Sequence, residues 1–215
     1  MRVVVTGSSN GIGKAIAQLF LVLGHRVYGF DVRQSGIAQP RYDHIVGDVR
    51  DRELPAFLDP HILVNNAGTL DEDDAIDVNL VGTIRFTEHV LSSKSLRSIL
   101  FIASASARNG AEFPRYVASK AGIVGYMKNL ALQVAPRGIT CNSISPGGVT
   151  TSANRHILED DKLYAAVKAE TLLGKWAEAE EIAELAYFLT VQNRSITGED
   201  LLIDNGEMLK SNFIW

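Results

Sequence analysis

The start of the chain restricts the fold more than any other stretch. Val3, Val4 and Val5 form a β-branched apolar run, which suits a strand buried on both faces of a parallel sheet. Thr6-Gly7-Ser8-Ser9-Asn10-Gly11-Ile12-Gly13 comes next, and then Ile12, Ile16, Phe20 and Leu23 share one helical face that closes at Gly24. Strand, glycine turn and helix in this order open a doubly wound α/β sheet. Absent side chains let the backbone approach a pyrophosphate, and the free N–H groups and macrodipole of the helix favour its negative charge. An ordinary tight connection could use similar residues, so the turn gains its meaning from the rest of the chain.

The same pattern repeats down the chain. A second strand, Arg26 to Asp31, ends in a carboxylate 18 residues after Gly13, the place of an acid that holds the adenosine ribose and repels a 2′-phosphate. This predicts NAD, with NADP as the lesser alternative because Arg33 is close by. Further strands are expected at Asp43–Gly47, His61–Val64, Leu96–Ala103, Gly138–Ile144 and Leu201–Ile203. Their carboxyl ends carry Asp48-Val49, Asn65-Asn66-Ala67-Gly68, Ser104 and Ser145-Pro146-Gly147-Gly148-Val149-Thr150-Thr151. Ligands bind at such ends in open α/β sheets. Asp48 could hold an adenine amino group, cap a following helix, or do both. The expectation is one Rossmann-type doubly wound domain over residues 1–215, with about seven parallel strands and helices on both faces.

Between the strands lie three informative helical segments. The acidic run Asp71-Glu72-Asp73-Asp74 reads as the first turn of a helix through Ile76, Leu80 and Ile84, where carboxylates complement the dipole. Asn79 sits inside that helix, where an amide has no propensity advantage. Tyr116 and Lys120 in YVASK are four residues apart and share a face of another helix, which ends at Pro136-Arg137-Gly138. A neighbouring ammonium is expected to lower the tyrosine pKa, making it a proton exchanger near neutrality. Residues 152–173 read as one or two polar-rich helical turns, either a lid over a pocket or a plain surface helix.

Composition excludes other classes. With 215 residues, 46% hydrophobic, the chain suits one sizeable core. A formal charge of -4 without a basic cluster argues against nucleic acid. No apolar run approaches the roughly 20 residues of a membrane helix, and the amino-terminal run is too short for a signal sequence. Cys141 is the single cysteine, which suits a reducing compartment, so the cytoplasm is expected. The five histidines, His25, His44, His61, His89 and His156, lack metal-ligand spacing and read as structural or exposed. No GxSxG elbow supports a hydrolase.

TGSSNGIG, NNAG, YVASK and ITGEDLLIDNG, in that order from Thr6 to Gly206, resemble the motifs of the short-chain dehydrogenase/reductase family. The resemblance implies that Tyr116 is the acid/base and that Lys120 lowers its pKa and binds the nicotinamide ribose. It implies that Ser104 orients the substrate oxygen and that Asn79 completes a water-mediated relay to Lys120. It further implies a cofactor site in which Gly7, Ser9, Asn10, Gly11, Ile12 and Gly13 surround the pyrophosphate and Asp31 meets the ribose. Asp48 and Val49 would meet adenine, Asn66, Ala67 and Gly68 the middle of the cofactor, and Pro146, Gly147, Val149 and Thr151 the carboxamide end. The implied activity is NAD(H)-dependent interconversion of a secondary alcohol and a ketone, in a homodimer or homotetramer. A catalytically silent cofactor sensor is the alternative from another class.

Three departures from the family pattern stand out. The chain is short, most clearly between Asn65 and Asn79. Ser104 precedes Tyr116 by 12 residues rather than the more usual 13, leaving Ser106 as a weaker candidate for its role, and Ala103 stands where a second serine is common. Ser106, Arg108, Asn109, Glu112, Phe113, His156 and Trp176 are candidates to line the substrate pocket, although Arg108 suits a surface ion pair better. The apolar tail Phe213-Ile214-Trp215 would suit an interface.

Overall fold

A computed structural model describes residues 1–210; the apolar tail at 213–215 lies outside them. Seven parallel strands form one sheet: β1 (Arg2–Thr6), β2 (Arg26–Asp31), β3 (Tyr42–Val46), β4 (Ile62–Asn65), β5 (Ser98–Ile102), β6 (Thr140–Pro146) and β7 (Asp200–Ile203). Their spatial order is β3-β2-β1-β4-β5-β6-β7. The order reverses between β1 and β4, whose register pairs Val3 with Ile62 and Val5 with Val64. Ligands bind at such a switch point, outside the strands' carboxyl ends.

Strand alternation divides the core in two. Val3 and Val5 face one side, packed with Ile16 and Phe20 of α1 (Gly11–Val22) and with Ile182 and Ala186 of the carboxyl-terminal helix Ala179–Tyr187. Val4 and Leu63 face the other, against Phe86 of α2 (Thr83–Val90) and against Ile123 and Met127 of the long helix Pro114–Val134. The consecutive valines at positions 3–5 are fully buried because each face has its own helical layer.

Two crossovers carry no helix. Residues 32–41 and 47–61 run irregularly between their strands, so Asp48 does not cap a following helix. Its carboxylate accepts the Arg50 N–H at 2.8 Å and pairs with the Arg50 guanidinium, also at 2.8 Å. Pro55 and Pro60 interrupt the second crossover, which suits irregular chain. The shortening expected between Asn65 and Asn79 is thus joined by connections beside β3 that are irregular throughout.

The remaining helices are short, with one exception. α3 (Ser106–Asn109) follows β5; α4 is the 21-residue Pro114–Val134; α5 (Arg155–Leu158) and α6 (Asp161–Ala169) lie in the region 152–173; α7 is Ala179–Tyr187. Among the described residues no helix is long and apolar enough to cross a membrane.

Candidate active site

At the strands' carboxyl ends the glycine turn is stapled from below by Asn66. Its amide donates to the carbonyls of Thr6 and Gly7 at 3.1 and 3.0 Å, while Thr6 Oγ1 accepts the N–H groups of Asn66 and Ala67 at 3.0 Å each. The packing explains two glycines. A Cβ at Gly7, where φ is +66°, would lie 2.7 Å from Asn66 Nδ2, and one at Gly13 would lie 2.1 Å from the Gly7 carbonyl oxygen. Both positions reject any side chain.

The turn ends at α1, where Asn10 makes no side-chain capping bond and the first turn holds no acidic residue. Its N–H groups are therefore left for an anion, which fits a dinucleotide phosphate. At the end of β2, Asp31 accepts the Ser9 N–H on one carboxylate oxygen and the Arg33 N–H on the other, both at 2.9 Å. A polar strap secures this corner: Ser8 Oγ, Tyr42 Oη and His44 Nδ1 follow one another at 3.0 Å, and His44 Nε2 meets the Arg33 carbonyl at 2.9 Å. Because that carbonyl only accepts, Nε2 carries a proton, and in the neutral imidazole Nδ1 then accepts from Tyr42 while Ser8 donates to Tyr42.

One cavity of about 890 Å³ runs from this corner to the tyrosine. Gly7, Asn10, Gly11, Ile12, Asp31, Asp48 and Val49 line its cofactor end, Asn66, Ala67 and Gly68 its middle, and Pro146, Gly147, Val149 and Thr151 the far wall, with Ser104, Tyr116 and Lys120 at its head. Ser9, Gly13 and Asn79 do not line it. Of the substrate-pocket candidates, Ser106, Asn109, Glu112 and Trp176 line the cavity, whereas Arg108, Phe113 and His156 do not. Arg108 instead forms the ion pair expected of it, at 2.7 Å from Asp200.

Tyr116 lies in the first turn of α4, one turn before Lys120, as the spacing predicts. The first-turn N–H groups of Arg115 and Tyr116 donate to Glu72 at 3.2 Å each. Thus Glu72, from the acidic run, caps a different helix from the one it precedes. Lys120 is buried, with Nζ donating to the Ile102 carbonyl at 2.9 Å and lying 5.7 Å from the Tyr116 ring centre. Burial pushes its pKa down to about 8.

The expected lowering of the Tyr116 pKa is reversed. Burial first, and the Glu112 charge second, push it up to about 12, and the hydrogen bond with Ser104 only partly offsets them. At nearly 6 Å from the ring, the ammonium does not outweigh the desolvation of a phenolate. Glu112 is itself pushed up, chiefly by desolvation, with the Glu207 charge adding to it.

Asn79 lies within a π-helical stretch, Ile76–Gly82, that runs into α2. Its side chain is fully engaged: Nδ2 donates to the Thr69 carbonyl at 2.9 Å and to Ser119 Oγ at 3.0 Å, and Oδ1 accepts the Thr69 N–H at 2.7 Å. Ser119 Oγ in turn donates to the Tyr116 carbonyl at 2.7 Å. Gly68 separates Asn79 from the lysine, since a Cβ there would lie 3.1 Å from Asn79 Oδ1 and 3.4 Å from Lys120 Nζ.

Comparison with known proteins agrees with this architecture. The family model described as enoyl-(acyl carrier protein) reductase matches residues 55–207. The 3-oxoacyl-[acyl-carrier-protein] reductase FabG of Salmonella typhimurium is 32% identical over 94% of this chain and 95% of its own. Among solved structures, 4-hydroxyisoleucine dehydrogenase complexed with NADH superposes with a TM-score of 0.87 at 26% identity, over 98% of this chain and 99% of that one. A putative 2-deoxy-D-gluconate 3-dehydrogenase from Agrobacterium tumefaciens, with bound NADP, gives 0.85 at 27%, over 97% and 96%. The chain belongs to the short-chain dehydrogenase/reductase family. It is an oxidoreductase of that family with a Rossmann-like sheet.

Proposed function

We propose that this protein interconverts a secondary alcohol and a ketone with NAD(H), using Tyr116 as the proton-transferring group. The observation that carries this reading is the single cavity joining the glycine turn and Asp31 to Ser104, Tyr116 and Lys120. When bound, the dinucleotide supplies the hydride donor or acceptor. Gly7, Gly11, Ile12 and the amino end of α1 would hold its phosphates, Asp31 its adenosine ribose, Asp48 and Val49 its adenine, and Lys120 its nicotinamide ribose.

In the reductive direction Tyr116 gives its proton to the carbonyl oxygen, and Ser104 donates a hydrogen bond where negative charge gathers. A phenol held up to about 12 remains protonated at neutral pH and so is ready as an acid. In the oxidative direction Tyr116 must first lose that proton, so oxidation rises with pH. Asn79 acts through Ser119 and the backbone of Tyr116, holding the first turn of α4 in place.

NAD is favoured over NADP because the Asp31 carboxylate stands at the ribose corner, despite Arg33 lining the same cavity. Residues 1–215 are read as one domain, and α5 and α6 as a lid, since Ile157 and Val167 line the cavity from these helices.

The test is a screen of ketones and secondary alcohols followed by NADH absorbance and repeated with NADPH. Turnover that Tyr116→Phe abolishes, with NADH binding retained, supports the reading. Full turnover in Tyr116→Phe overturns the assignment of the acid, and tighter binding of NADPH than of NADH overturns the cofactor preference.

A further inference from the structure

Ser104 and Ser106 are both buried, and their relation is asymmetric. Ser106 donates twice to Ser104 Oγ, through its hydroxyl at 2.8 Å and its backbone N–H at 3.2 Å. The positions are fixed by α3, which starts at Ser106, and by the Ala105 N–H, which donates to the Pro146 carbonyl at 2.8 Å. A hydroxyl oxygen has two lone pairs and one proton. With both lone pairs occupied, Ser104 can act only as a donor.

This matters because the catalytic proton has two possible destinations. A Ser104 oxygen with a free lone pair would accept from the Tyr116 phenol and so divert that proton from the substrate. A saturated Ser104 cannot: its own proton, which in this structure serves the Tyr116 oxygen, is left to be given to the substrate oxygen when the ketone binds. We infer that Ser106 is a positioning residue for the proposed reaction, occupying Ser104 Oγ so that Ser104 and Tyr116 both donate to the carbonyl oxygen of the ketone. The inference rests on the reading of Tyr116 and Ser104 given above. Glu112, at the cavity rim, is the competing acceptor for the Ser106 hydroxyl. A Ser106 proton given to Glu112 would leave only the backbone N–H bond on Ser104 and free one lone pair, so the inference requires the hydroxyl to donate to Ser104, as it does here at 2.8 Å.

The experiment is a kinetic cycle of Ser106→Ala, Ser104→Ala and the double variant, on a ketone that the wild type reduces with NADH. Loss of one neutral hydrogen bond predicts that Ser106→Ala lowers kcat up to about tenfold. The NADH dissociation constant should be unchanged, and Ser106→Thr, which keeps the hydroxyl, should restore most of the rate. In the Ser104→Ala background the same change should cost nothing further, because the group through which Ser106 acts is gone. Equal losses in both backgrounds, or an unimpaired Ser106→Ala, overturn the inference while leaving the proposed function standing. A wild type that reduces no ketone and oxidises no alcohol overturns both.

Discussion

The two ends of the cavity are built differently. The cofactor end is backbone and glycine, held by bonds that leave no slack: Asn66 under the turn, Thr6 under Asn66, and Asp31 bound on both oxygens. The substrate end is made of side chains, the buried Ser106 and Trp176 beside the exposed Asn109 and Glu112, with Glu112 at a φ of +96° on its rim. An end that must fit an invariant ligand can be made of rigid backbone, whereas an end that selects among substrates varies through side chains and short connections. The reaction class is accordingly better defined by this molecule than the substrate.

Glycine substitution gives the largest contrast between the ends. Gly13→Ala drives a methyl against the Gly7 carbonyl and Asn66. It should abolish NADH binding and cost about 1–3 kcal/mol or more in urea denaturation. Gly110→Ala, beside the substrate end, meets no heavy atom within 4 Å and is strained only by its φ of +73°. There the expected cost is about 1 kcal/mol, with NADH binding intact. Equal damage at both sites would break the contrast.

Lys120 lies where the two ends meet. Lys120→Met should cut turnover by about 100-fold or more, taking proton-transfer support as the scale. It should also stabilise the fold by about 1–3 kcal/mol at neutral pH, because an ammonium held down to about 8 is costly to bury. Between about 8 and 10.5 the folded state binds fewer protons than the unfolded one, so wild-type stability rises with pH across that window. The stability advantage of the methionine variant should therefore shrink as pH rises through it.

At the substrate end the Glu112 charge opposes ionisation of Tyr116. Glu112→Gln should move the rising limb of alcohol oxidation to lower pH, with a gain of about two- to tenfold at a fixed pH on that limb. An unmoved limb would mean that burial alone sets the tyrosine.

Much of this is legible in the sequence because it is local. The apolar runs of β1, β4 and β5 and the residues at their ends identify the strands and the cavity mouth without distant information. Asn79 is marked out by sitting in a helix without a propensity reason, but its partners Thr69 and Ser119, and the π-helical stretch around it, are not written in its spacing. Spacing misjudges the Tyr116 pKa because it reveals the neighbouring lysine and hides the burial. The helix expected after Asp48 is absent, and the carboxylate serves Arg50 instead. The strap through Ser8, Tyr42 and His44 joins segments that no periodicity links.

Glu72 gives the smallest of these effects and separates local from distant information most cleanly. Read along the sequence, it belongs to the first turn of the helix that comes after it. In the structure its carboxylate instead receives the N–H groups of Arg115 and Tyr116, 43 and 44 residues later, at the amino end of α4. A carboxylate at that end both accepts the free N–H groups and complements the dipole. Glu72→Gln retains an acceptor oxygen and removes the charge, so it should cost about 0.3–1 kcal/mol, read as a lower thermal midpoint. Glu72→Ala removes the acceptor as well and should cost about 0.5–2 kcal/mol. If the carboxylate also holds the turn that carries Tyr116, both changes should lower kcat while leaving NADH affinity alone. An unchanged kcat alongside a lowered midpoint would make Glu72 a stabiliser of α4 only, and would leave Ser119 and Asn79 as the groups that hold the tyrosine.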